Sequence, residues 1–76
     1  MILENKLFEL QLLLQKRNNT SSAFFNKLLE DLKNGLDEDV VNTILKSYAI
    51  VQYGDFNHQE EKVFDEIWEI ANTLKK

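Results

Sequence analysis

The stretch Ser47-Tyr48-Ala49-Ile50-Val51-Gln52-Tyr53-Gly54-Asp55-Phe56-Asn57 decides the fold class. It is the only interior interruption in a strongly helical second half, and it holds both tyrosines and one of the two glycines. Tyr48 to Tyr53 is β-prone by residue type, so a short strand is one reading. A strand needs a partner for its backbone N–H and C=O groups, and no second run in the chain offers one. The stretch is therefore read as the end of one helix, a tight turn and the cap of the next. Gly54 ends the first, and Asn57 caps the second with Glu60 three residues on, as in a capping box.

Apolar spacing on either side supports helices. After Asn57, Val63, Phe64, Ile67, Ile70, Ala71 and Leu74 share one face, with Trp68 at its edge and Glu61, Asp65, Glu66 and Glu69 over much of the remainder. Before it, Asp37 is a capping residue, and Glu38 and Asp39 suit the positive end of the helix dipole. Val40, Val41, Ile44, Leu45, Tyr48 and Val51 follow on one face, leaving Ile50 and Tyr53 on the other. Upstream, Asn18 to Ser22 is a polar break, and Phe24, Phe25, Leu28, Leu29 and Leu32 form an apolar face closed by Asn34-Gly35. Gly35 suits the left-handed position after a last turn. Leu3, Leu7, Leu10 and Leu14 make the face of a first helix, and Phe8 and Leu12 fall opposite that stripe.

The spacing predicts helices over about 2–17, 21–34, 37–53 and 58–75, in one helical domain spanning 1–76. The fold class is all-α. Short connections favour antiparallel neighbours, so a four-helix up-down bundle leads. A three-helix core with the first helix shared in a dimer is the alternative, and Phe8 and Leu12 are the candidates for such self-association. A chain of 76 residues buries only about 60% of its unfolded surface. With no cysteine to staple it, helix packing or self-association must supply the stability.

Composition narrows the function classes. The formal charge is −4, and it is unevenly spread: Met1 to Leu36 carry four acids and five bases, Asp37 to Lys76 nine acids and four bases. Nucleic-acid binding needs clustered Lys and Arg on the recognition element, and here the two C-terminal helices are the acidic ones. A basic protein partner is the electrostatic match. His58, the only histidine, has Asp55 three residues before it, but a metal site needs three or four converging ligands. No hydroxyl sits in a nucleophile motif and no glycine-rich phosphate loop is present. The expectation is a protein with no enzymatic activity and no cofactor. The longest apolar run is far too short to span a bilayer and the N-terminus lacks a signal-peptide pattern, which makes a cytoplasmic location the default.

Protein recognition remains. Tyr48, Tyr53, Phe56 and Trp68 exceed what so small a core can bury, and tyrosine and tryptophan are enriched in binding hot spots. The expected partner-binding surface is Ile50, Tyr53 and Phe56 pointing outward beside Asp55, with Tyr48, Trp68, Glu61 and Asp65 adjoining. The bland alternative for Tyr48 and Trp68 is that they cap the core with their polar ends in water.

An acidic four-helix domain with tyrosines near an acidic helix end resembles the bacterial immunity proteins. The resemblance rests on Tyr48, Tyr53 and Asp55 with their flanking acids. In the nuclease-colicin immunity proteins the tyrosines are adjacent on a short third helix, whereas here four residues separate them. Small helical immunity proteins against membrane-active bacteriocins are a similar group. The resemblance implies a protein that binds and neutralises a toxin made by the same cell, by occluding it with aromatics at the centre and carboxylates steering.

Overall fold

Each amphipathic segment has one apolar face to bury, and the chain buries them against one another. The computed structural model describes residues 2–75. It contains α1 (Ile2–Lys16), α2 (Ser22–Lys33), α3 (Asp37–Lys46), the one-turn α4 (Ile50–Tyr53) and α5 (His58–Lys75), and no strand among the described residues. α1 packs on α2 and α5, and α3 packs on α5 and α2, so the four long helices form a closed ring. Neighbours run antiparallel. Lys6 pairs with Glu66 and Arg17 with Glu60, which orders α1 against α5, and Tyr48 reaches Asp65 while Lys75 reaches Asn42, which orders α3 against α5. The all-α bundle expected from the apolar spacing is the observed architecture.

The core is the set of faces read from the sequence: Leu3, Leu7, Leu10 and Leu14 of α1, Phe25, Leu28, Leu29 and Leu32 of α2, Val40, Val41 and Ile44 of α3, and Val63, Phe64, Ile67 and Ala71 of α5. Phe25 is its aromatic hub, with ring centroids 5.1 Å from Phe24, 6.1 Å from Phe56 and 5.9 Å from Phe64.

Helix ends follow local chemistry. Gly35 takes φ +82, and the N–H groups of Leu36 and Gly35 return to the carbonyls of Asp31 and Leu32, closing α2 with paired reverse bonds. α1 ends the same way with an asparagine in the glycine position. Asn18 has φ 59, and the N–H groups of Asn19 and Asn18 return to Leu14 and Gln15. The capping box at α5 is present: Asn57 Oδ1 accepts from Glu60 N at 2.9 Å, and Glu60 Oε1 accepts from Asn57 N at 2.8 Å.

Three details differ from the sequence reading. The third helix does not run to Tyr53. The Ser47 hydroxyl donates to the Thr43 carbonyl, the helix stops at Lys46, and a turn at Tyr48-Ala49 leads into α4. A serine that bonds the preceding turn competes with the helical ladder, and the β-branched and aromatic residues that follow propagate a helix weakly. Asp37 is the first residue of α3 and not its cap; Leu36 takes that position, with no side-chain capping bond. Leu74, placed on the buried face, is 53% exposed, because the helix outruns the core at its last turn. Phe8 and Leu12, opposite the buried stripe of α1, are 53% and 39% exposed.

Candidate functional site

The end of the bundle where α1 finishes and α5 begins is assembled from residues far apart in sequence. Arg17 leaves the last turn of α1 and grips Glu60 with both arms of its guanidinium: Nε donates to Oε2 at 2.8 Å and Nη2 to Oε1 at 2.6 Å. Glu60 is 1% exposed, a depth at which a carboxylate persists only when paired. All of its demand is met by the Arg17 fork and the Asn57 box. The hydrogen bonds from Arg17 hold the Glu60 carboxyl below its usual range, against the opposing effect of burial. The same bonds raise Arg17 above its ordinary value.

The clasp reaches further than the ion pair. Arg17 Nη2 also donates to the Asp55 carbonyl at 2.9 Å, and Asn19 Nδ2 donates to the Gly54 carbonyl at 2.7 Å. Asn19 Oδ1 accepts from Ser21 N at 2.8 Å, so one amide ties the start of α2 to the end of α4. The two loops meet closely. A Cβ on Gly54 would lie 2.5 Å from the Ile50 carbonyl oxygen, 2.8 Å from the Phe56 ring and 2.9 Å from the Ser21 hydroxyl. Gly54 has φ −85, so glycine is needed here for space, and the left-handed residue of the turn is Asp55 at φ 56.

Tyr53 stands on this clasped turn at 86% exposure. Tyr53, Gly54 and Asp55 form one wall of a polar cleft, and Asn18, Asn19, Thr20 and Ser21 form the other. The remaining candidate residues divide into separate groups. Phe56 does not point outward; it packs half-buried against Phe25 and Phe64. Ile50 and Val51 are also partly buried against the core, so Ile50 is not an outward residue either. Tyr48 is 49% exposed and not a core residue. Its ring meets Phe64 and Trp68 edge-on, and its hydroxyl donates to Asp65 at 2.7 Å, an interaction that raises its pKa. Trp68 is partly buried, and its Nε1 is enclosed without a hydrogen-bond partner among the described residues. Glu61 is partly buried and Asp65 exposed on the same helix. Phe8 and Leu12 lie on the outer side of α1, with Phe8 beside Glu4, Asn5, Leu29 and Lys33.

Sequence reasoning placed Tyr53, Asp55 and the Asn57–Glu60 box at this end and missed Arg17 and Asn19. At the end of the first helix, Arg17 reads from sequence alone as a charge favourable to the helix dipole. One signal pointed to more: it is the sole arginine among nine basic residues, and arginine's planar fork suits a bidentate carboxylate where lysine's ammonium does not. Among the described residues no group of three or more His, Cys, Asp or Glu side chains is placed to hold a metal ion, and no helix is long and apolar enough to cross a membrane. Compared with known proteins, the chain matches no family model, no curated protein and no solved structure.

Proposed function

We propose that this protein acts by binding another protein, as an immunity protein, antitoxin or inhibitor that occludes a cognate toxin, with Tyr53 as the anchor. The observation that carries the reading is the pairing of exposure with order: Tyr53 is 86% exposed, yet the turn beneath it is held by Arg17 and Asn19. A turn whose backbone is already held costs less ordering entropy when the aromatic it carries docks. Asp55 lies exposed beside it, and Glu61, Asp65 and Glu69 follow along α5, so a basic partner surface is steered toward this end. Tyr48, Trp68 and the acids of α5 adjoin as the rim. The tyrosine sits on a one-turn helix, the kind of element that bears the tyrosines of the nuclease-colicin immunity proteins.

The test pairs capture with rescue. Wild type and Tyr53→Ala are used as bait in native lysate, and proteins retained only by wild type are expressed alone and together with each form. The expected result is a basic partner whose toxicity is relieved by wild type and not by Tyr53→Ala. A partner held equally by both forms removes Tyr53 as anchor, and a partner harmless on its own removes the toxin reading.

A homodimer or assembly subunit is the second reading, supported by Phe8 and Leu12 exposed on the outer side of α1. Light scattering at high concentration decides it. A strict monomer, or a dimer unaffected by Phe8→Lys, excludes that face.

A further inference from the structure

We propose that Asn19 and Arg17 are positioning residues for the Tyr53 surface, so that the first loop of the chain sets the geometry of a binding element carried by its second half. The inference rests on the reading of Tyr53 as a binding anchor. A single helical turn such as α4 does not hold itself, because nucleating a turn fixes several residues for one hydrogen bond. Tyr53 cannot hold it either, since its side chain lies almost wholly in solvent. What fixes the turn comes from outside: Ile50, Val51 and Phe56 pack on the core, and two hydrogen bonds from the first loop hold its end. The Gly54 carbonyl takes the Asn19 amide at 2.7 Å, and the Asp55 carbonyl takes the Arg17 guanidinium at 2.9 Å. Asp55 takes a left-handed conformation, which aspartate tolerates better than most non-glycine residues. The bare Cα of Gly54 lets the turn seat against Ser21 without a side chain between them. Asn19 is the pivot, because its oxygen fixes the start of α2 through Ser21 N while its nitrogen fixes the turn.

That division of labour gives a clean test. Asn19→Asp keeps an acceptor for Ser21 N and replaces the donor to Gly54 by an oxygen that repels its carbonyl. Backbone order parameters from 15N relaxation at Gln52, Tyr53 and Gly54 are expected near about 0.85 in wild type and below about 0.6 in the variant, with Leu28 and Phe64 unchanged. Should that variant fail to fold, Arg17→Lys keeps the charge facing Glu60 while losing the guanidinium donor to the Asp55 carbonyl, and carries the same readout. A wild-type turn already as mobile as a free loop overturns the proposal. So does a turn that stays rigid in the variant, or a loss of order spread evenly over α2 and α5. Failure of the binding reading looks different: Tyr53→Ala would hold its partner as tightly as wild type, whatever the order measurements give.

Discussion

Arg17 and Glu60 form a bidentate ion pair across 43 residues of sequence, with the carboxylate at 1% exposure and the guanidinium side chain at 39%. The pair joins the end of α1 to the start of α5, and the Nη2 that donates to Glu60 also donates to the Asp55 carbonyl of the Tyr53 turn. Removing one member of such a pair costs more than the pair is worth, because the other is left buried and unpaired.

Arg17→Met is accordingly expected to destabilise the protein, because it leaves the Glu60 carboxylate buried without its cation. Glu60→Gln, which retains a capping-box acceptor for Asn57 N, should cost less, since Arg17 can turn partly to water. The double variant should be more stable than the sum of the two losses predicts, by at least about 1 kcal/mol. Urea unfolding of all four forms measures this, and strict additivity would show that the pair has no coupling.

The pH dependence follows from Glu60. Its carboxyl is held low in the folded state, chiefly by the Arg17 hydrogen bonds, and returns to about 4.3 when the chain unfolds. The unfolded state therefore binds the proton first as pH falls. The stabilisation is complete above about pH 5 and is lost progressively as pH drops through the lower folded value. The acid limb of stability against pH should be shallower in Arg17→Met/Glu60→Gln by up to one proton. Identical limbs in the two proteins would place the acid sensitivity elsewhere.

Two glycines are expected to fail in different ways. At Gly54 any side chain collides with the Ile50 carbonyl and Ser21, so Gly54→Ala and Gly54→Asn should both cost about 1–3 kcal/mol. At Gly35 the space beside the Cα is open and only the left-handed backbone objects. Gly35→Ala should cost about 1 kcal/mol, and Gly35→Asn less, because asparagine tolerates that conformation. Equal losses for alanine and asparagine at position 35 would contradict the backbone explanation.

Exposure separates Tyr53 from the aromatic hub. Tyr53→Ala and Phe8→Ala should each change stability by no more than about 0.5 kcal/mol. Phe25→Ala, at the centre of the ring cluster, should cost about 3–5 kcal/mol. That is close to the whole stability expected of a core this small, so the variant should be largely unfolded at room temperature by circular dichroism. A folded Phe25→Ala would mean that the core tolerates a large void.

The sequence by itself determined the fold class and most of the core, because these rest on local periodicity. Leu3, Leu7, Leu10 and Leu14 can share a buried face only on a helix, and Asn57 with Glu60, like Asn34 with Gly35, marks an end through bonds made within a few residues. The tertiary structure decided what happens between segments. It ended α3 at Lys46, so that Tyr48 turns its hydroxyl to Asp65 while Phe56 and Ile50 fold inward. It left Tyr53 alone as the outward aromatic of α4 and put Arg17 and Asn19 behind it. No spacing along the chain encodes that arrangement. A side chain at position 17 and a carboxylate at position 60 meet only because four helices have already closed into a ring, and closure rewards pairing the charge it would otherwise strand.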